Sequence, residues 1–218
     1  MSAERLECLL LIGMPGAGKT SCGRALSRLT GYPFADSDDF IEKATGRSIT
    51  EIFATSGEPF FRALERSLIE SLLLLVQNQS RNKNQNQSEQ ELNILQELLA
   101  EFVENAKRQG GLILATGGGL PCQAGNLDIL ARIGLTVHLS CPPETLASRL
   151  AGDTARPLLQ RSAASVREKD SSLNRIRELL AQRLDFYEKA AITVDTSISS
   201  VEDVAISVRL QVEKAEKV

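Results

Sequence analysis

The sequence has no tryptophan, one histidine and only 4% aromatic residues. A base-stacking platform for nucleic acid needs aromatic faces, so this composition argues against one. An excess of positive charge is also missing: 25 Lys and Arg stand against 28 Asp and Glu, a net charge of -3. Affinity for a polyanion comes largely from surplus Lys and Arg, so no nucleic-acid partner is expected, while a local cationic site for a small anion stays open. Apolar runs are short. Leu72–Val76 is five residues long, against about 20 for a bilayer-spanning helix, so no membrane partner is expected. Cys8–Ile12 is likewise too short for a signal-peptide core and leads into a glycine loop. Cys8, Cys22, Cys122 and Cys141 form no Cys-x-x-Cys pair, and His138 neighbours only Cys141, which argues against zinc. Reduced thiols fit a cytoplasmic chain. His138 lies in an apolar strand pattern, Leu135–Leu139, and reads as structural rather than catalytic.

What is present is a 218-residue chain, 42% hydrophobic and 24% charged, the balance of one soluble globular domain, with room for an insertion. Short apolar runs at 6–12, Tyr32–Ala35, 112–115, 135–139 and 191–194 predict strands. Between them, helical spacing predicts helices at 19–29, 40–44, 59–76, 91–108, 126–133, 144–151, 165–189 and 201–215. Ser48 with Glu51 three positions on has the spacing of a capping box, and Pro59 suits a first helical turn. Strands alternating with helices predict an α/β fold with a parallel sheet covered on both faces, and ligands at the carboxyl ends of its strands. Residues 77–90 break the pattern: nine of the fourteen are Asn or Gln. Such a tract cannot offset its ordering entropy by apolar burial and reads as an exposed loop.

The strongest chemical signal is Gly13-Met-Pro-Gly-Ala-Gly-Lys-Thr20, a Gly-x4-Gly-Lys-[Ser/Thr] phosphate loop between a buried strand and a helix. Its glycines let successive backbone N–H groups cradle a phosphate, and the helix N-terminus adds partial positive charge. Gly16, Ala17, Gly18 and Ser21 lie in or beside this cradle. Lys19 supplies a full charge to the β and γ phosphates, and the Thr20 hydroxyl is a hard ligand for Mg2+. By glycine frequency alone, a chance match in a chain of this length is on the order of one in a hundred. A dinucleotide loop fails on spacing, because Gly117-Gly-Gly119 meets Cys122 where a third glycine would be needed. Asp36-Ser-Asp-Asp39 ends the second predicted strand beside the loop. Two carboxylates there suit different tasks, one on a metal's water shell and one on a hydroxyl nucleophile. Arg62, Arg149, Arg156 and Arg183 are scattered, and composition does not separate them from other arginines. Gly152-Asp-Thr-Ala-Arg-Pro-Leu-Leu159 has the Gly and Pro punctuation of a lid, set at 152–164.

Taken in order, the phosphate loop, Asp36-Ser-Asp38, Gly57-Glu-x-x-Phe-Arg62-x-x-Glu65, Gly117-Gly-Gly119, Arg156-Pro-Leu-Leu and Arg183-x-x-x-Tyr187 resemble the shikimate kinase family over about 6–196, excluding 77–110. The resemblance implies a three-layer αβα P-loop fold with a five-stranded parallel sheet of order 2-3-1-4-5. It also implies transfer of the γ-phosphoryl of ATP to the 3-hydroxyl of shikimate, on the route to aromatic amino acids, with one Mg2+ per monomer. By motif position, Asp38 would hold the ring hydroxyls, as a general base or as an orienting acceptor. Arg62, Gly118 and Arg183 would hold the carboxylate, with Gly117 and Gly119 beside them. Lys19 and Arg156 would contact the transferred phosphoryl group, Arg149 the adenine side, Thr20 the metal directly and Asp36 the metal through water.

Three departures stand out. Residues 77–110 read as an insertion, expected to form a helical hairpin with 91–108 packed back on the preceding helix, and to be dispensable for activity. Its stripe is alternatively a dimer face; a monomer is otherwise expected. Asp185 replaces a usual proline, and Thr196-Ser-Ile-Ser-Ser lacks basic residues often found beside the nucleotide base. Two rival readings are a kinase of another small hydroxy acid such as gluconate, and a silent nucleotide-binding relative acting through protein partners.

Overall fold

The computed structural model describes residues 6–79, 89–151, 168–197 and 200–215. Its centre is β1 (Glu7–Ile12), in which Leu9, Leu10, Leu11 and Ile12 are all fully buried. A strand buried on both faces belongs inside a parallel sheet, and β1 pairs with β3 (Gly111–Ala115) on one side and β4 (Leu135–Ser140) on the other. The short β2 (Phe34–Asp36) and β5 (Ile192–Asp195) form the edges. The order is β2-β3-β1-β4-β5, every pairing parallel, as the sequence and its resemblance led one to expect. The order reverses direction at β1, so a crevice opens at the carboxyl ends of β1, β3 and β4, where such folds place ligands.

The helices are α1 (Lys19–Thr30), α2 (Ser37–Thr45), α3 (Ile49–Thr55), α4 (Gly57–Val76), α5 (Glu89–Gln109), α6 (Asn126–Ile133), α7 (Pro143–Leu150), α8 (Glu168–Tyr187) and α9 (Val201–Ala215). Their sequence signals operate locally. Ser48 and Glu51 form both halves of a capping box at α3. The second strand sits slightly later than expected, at Phe34–Asp36 instead of Tyr32–Ala35. Helix α2 begins at Ser37, three residues before Phe40, because the Asp36 carboxylate accepts the Asp38 N–H and caps it there. His138 is buried in β4 with its ring stacked on Tyr187 at 5.1 Å. All four cysteines are free thiols. No described helix is long and apolar enough to cross a membrane.

The segment after α4 departs from the expected hairpin. Lys107, near the end of α5, donates to the Asn78 carboxamide at 2.9 Å, just beyond the end of α4. At the other end, Glu91 of α5 pairs with Arg47 at 2.9 Å. Arg47 in turn bonds Thr55 and Ser56 and lies over the Phe60 ring, at the start of α4. The two helices therefore run parallel, side by side. A stripe of apolar residues specifies which face is buried but not the direction of travel, so the sequence could not distinguish the two. The stripe itself, Leu95, Leu99, Val103 and Ala106, is buried in the main core, against α4 and α2, with Phe102 edge-on to Phe40. That face is covered by its own chain and does not offer the dimer contact considered from sequence.

Candidate active site

The donor side is built from the turn between β1 and α1. Helix α1 has no side-chain cap and no acidic residue in its first turn; its N-cap is Gly18 at φ 92°. That left-handed conformation is open to glycine and strained for other residues. The uncapped N–H groups and the positive end of the helix are thus left to an anion. Lys19 is 8% exposed, and its Nζ donates to the carbonyls of Gly13 and Met14, each at 2.9 Å. The ammonium is held over the loop it would serve. Thr20 donates to Asp36 Oδ2 at 2.8 Å, bringing together the two oxygen groups assigned to a metal. Among the described residues no group of three His, Cys, Asp or Glu could hold a metal. A hydroxyl and one carboxylate beside a phosphate cradle suit Mg2+, which keeps waters and phosphate oxygens in its shell.

A cavity of about 420 Å³ extends from this loop, lined by Gly16, Ala17, Ser21, Arg149, Thr196 and Val204 among others. Arg149 donates to the Thr196 carbonyl at 2.6 Å and its hydroxyl at 3.3 Å. The Thr196 hydroxyl is also within hydrogen-bonding distance of the carbonyls of Ala17 and Ser140. The sequence lacked basic residues after β5; Thr196 instead ties that segment to the phosphate loop and to Arg149.

A second cavity, also about 420 Å³, holds the acceptor-side candidates Asp38, Arg62, Gly117, Gly118, Gly119 and Arg183. The two cavities share Thr20, Asp36, Asp38, Gly117 and Gly118, so they meet at one wall. Arg62 reaches in from α4, held by Glu65 at 2.7 Å and by Glu58 at 2.8 Å. Glu65 is fully buried, accepts from Arg62 and from Gln123 through Oε2, and keeps Oε1 without a partner among the described residues. Burial pushes its carboxyl up to about 7, with the nearby Asp38 charge adding to the rise and Arg62 opposing it. His138 moves the other way, down to about 4, because burial and then Lys19 disfavour the imidazolium.

The three glycines have no side chains to fix them, and neighbours do so instead. Ser37, fully buried, accepts the Gly117 N–H at 2.8 Å and lies 3.3 Å from Asp38 Oδ1, within donor reach. Tyr187 donates to the Gly118 carbonyl at 2.6 Å. A Cβ on Gly118 would lie 2.9 Å from Pro15 Cδ, so only glycine lets this loop press against the phosphate loop.

The structure therefore gathers Gly16, Ala17, Gly18, Lys19, Thr20, Ser21, Asp36, Asp38, Arg62, Gly117, Gly118, Gly119, Arg149 and Arg183 around one double cavity. Arg156 and the expected lid at 152–164 lie outside the described residues. Ser37, Gln123 and the roles of Glu65 and Tyr187 were not read from sequence. Glu65 carried a signal, three residues after Arg62 on one helix face; Ser37 and Gln123 carried none.

The family model described as shikimate kinase matches residues 15–81 and 84–213. Curated relatives called shikimate kinase include one from Clostridium botulinum, 33% identical over 187 residues and covering 85% of each chain. Another, from Geobacter metallireducens, is 32% identical over 200 residues, covering 92% of this chain and 88% of its own. Among solved structures, a shikimate kinase from Acinetobacter baumannii in complex with shikimate aligns over 99% of this chain and 97% of its own, at 32% identity and a TM-score of 0.73. One from Bacteroides thetaiotaomicron aligns over 95% and 98%, at 26% identity and a TM-score of 0.70. With its sheet order, phosphate loop and adjoining acceptor cavity on the same frame, the chain belongs to the shikimate kinase family.

Proposed function

We propose that the chain transfers the γ-phosphoryl of ATP to the 3-hydroxyl of shikimate, giving shikimate 3-phosphate and ADP. The observation that carries this is the wall shared by the two cavities. One side has a phosphate loop with a buried lysine; the other has a carboxylate, Asp38, among groups suited to a small hydroxylated acid. Family membership and the shikimate complex of the Acinetobacter relative support the acceptor's identity.

Phosphoryl transfer has a loose transition state, so catalysis is mainly positioning and charge neutralisation. Lys19 neutralises charge on the transferred group, and Arg156 is assigned the same task. Arg62 and Arg183 grip the acceptor carboxylate with planar forks, and Gly117–Gly119 let it approach the backbone. Asp38 orients the attacking hydroxyl and accepts its proton as the bond forms. Gly16, Ala17, Gly18 and Ser21 line the ATP phosphates, and Arg149 covers the adenine side. Thr20 and Asp36, already joined by a hydrogen bond, are the residues that would hold Mg2+, which would supply further charge neutralisation. The stretch 152–164 is read as a lid that excludes water from competing as acceptor, and 77–110 as an addition to the catalytic frame. We read the protein as a monomer in the cytoplasm, with no nucleic-acid or membrane partner; the covered stripe of α5 supports the first point.

An ADP-release assay with Mg-ATP tests the proposal. Shikimate-dependent turnover is expected, with open-chain hydroxy acids such as gluconate much poorer. Folded protein without shikimate-dependent turnover refutes it, and a preference for gluconate transfers it to another acceptor.

A further inference from the structure

Three consecutive glycines form an acceptor wall with no intrinsic stiffness, yet the wall faces a chemistry that tolerates little misplacement. Its position must be imposed from outside. On one side this is done by Ser37, which holds the Gly117 N–H. On the other it is done by Tyr187, the last residue of α8, which is fully buried. The Tyr187 hydroxyl donates to the Gly118 carbonyl at 2.6 Å, a short bond for neutral partners, and lies 3.8 Å from the Met14 sulfur in the phosphate loop. Its ring is stacked on His138 of β4, which itself lies close to Gly13. One turn earlier on the same helix is Arg183, 8% exposed and lining the acceptor cavity. A single buried side chain thus touches the donor loop and the acceptor glycines, from the helix that carries a proposed carboxylate grip.

We propose that Tyr187 is a positioning residue, a cross-brace that fixes the Gly117–Gly119 wall against the phosphate loop and so sets where the acceptor sits relative to the transferred phosphoryl group. The part concerning turnover rests on the reading that this site phosphorylates shikimate. The brace works through the hydroxyl, whose short bond goes to Gly118 and which also meets Met14, Arg183 and Cys122, while the ring is fixed by packing, so ring and hydroxyl contributions separate on substitution. Tyr187→Phe keeps the ring and its stack on His138 and removes the hydroxyl, and with it the bond to Gly118 and the interactions with Met14, Arg183 and Cys122. Hydrogen exchange in the glycine wall is therefore the readout that isolates the brace from the Arg183 contact.

Two measurements on the full chain test the brace. Wild-type turnover of shikimate, taken first, reports on the function alone. In Tyr187→Phe, kcat/KM for shikimate is expected to fall about 10- to 100-fold, the effect of leaving a buried carbonyl without its donor. KM for ATP is expected to stay within about twofold of wild type, because the phosphate cradle itself is unaltered. Independently of any acceptor, amide hydrogen exchange in the ligand-free protein reads the wall. The N–H groups of Leu120 and Cys122 donate to the carbonyls of Gly117 and Gly119 at 3.1 Å. They should exchange about tenfold faster in the variant, while β1 and β3 are unchanged. Unaltered exchange at Leu120 and Cys122 overturns the brace, as does unaltered kcat/KM in a protein whose wild type turns over shikimate. Faster exchange spread through the sheet, with both substrates affected equally, assigns Tyr187 a purely structural part and overturns it as well.

Discussion

Replacing Glu65 by Gln should change how the stability of the ligand-free protein depends on pH, in a direction fixed by the site. Glu65 is fully buried and its carboxyl stands at about 7 instead of 4.5, chiefly through burial. Between those two values the native state holds a proton that the unfolded chain has released, so folding stability falls as pH rises from about 4.5 to 7. At about 1.4 kcal/mol for each pH unit, the ionised form costs the fold on the order of 3 kcal/mol above pH 7. His138 has the opposite displacement, from 6.5 down to about 4, and the opposite sign. The unfolded chain there binds the proton that the native state refuses, so stability rises as pH increases from about 4 to 6.5, by a similar amount. In the wild type the two slopes oppose one another over most of the same window. Glu65→Gln removes one of them. The amide is nearly isosteric, its oxygen can still accept from Arg62 and Gln123, and its NH2 group occupies the place of the unpartnered Oε1.

Urea unfolding of both proteins from pH 4.5 to 7.5 gives the measurement. The wild type minus variant difference in unfolding free energy should fall by about 3 kcal/mol across the window, equivalent to roughly 6–12 °C in Tm for a chain of this size. The variant alone should gain stability with rising pH, through His138. Asp39, also raised by burial and by its acidic neighbours, contributes equally to both proteins and cancels in the difference. The carboxyls held low by local hydrogen bonds, Glu51, Glu104, Glu144 and Asp195, are the same in both proteins and likewise cancel in the difference. Parallel curves for the two proteins, differing by a constant, would refute the claim that Glu65 is a buried, high-pKa carboxyl.

Asp38→Asn should lower kcat by about 10²- to 10⁴-fold, the range for a residue that takes a proton from the nucleophile, with little change in Tm; a rate near wild type in the coupled assay removes Asp38 from the mechanism. Gly119→Ala puts a methyl 2.7 Å from Arg62 Nη1, so the guanidinium must move. Steady-state kinetics should then show kcat/KM for shikimate down by about tenfold with KM for ATP unchanged. Leu99→Ala empties a fully buried position on α5 and should cost about 2–5 kcal/mol in urea unfolding. Its kcat at a permissive temperature should match wild type, and a cost below 1 kcal/mol would mean that α5 is only loosely attached.

The chemistry of the donor side was legible because it is local: the glycines, Lys19 and Thr20 are contiguous, and a strand before and a helix after complete the cradle. The acceptor side was legible only as an ordered set of motifs, since Arg62, Gly118 and Arg183 are far apart in sequence and nothing in any one of them announces a shared cavity. Position within an element was harder to read than its existence, as α2 shows, where a single carboxylate moved the start by a turn. Direction was harder still. An apolar stripe on 91–108 is equally satisfied by a parallel or an antiparallel neighbour, and polar contacts, Arg47 with Glu91 and Lys107 with Asn78, identify the ends. The same contacts bear on whether the segment is dispensable. Because α4 and α5 finish side by side, a short linker from Asn78 to Lys107 closes the chain without strain. Removing α5, however, uncovers Phe40 and the faces of α2 and α4 that Leu95, Leu99 and Val103 now bury. The physical obstacle to deletion is therefore exposed apolar surface and not connectivity, and polar substitutions on those newly bared faces, rather than a longer linker, are what a shortened chain would need.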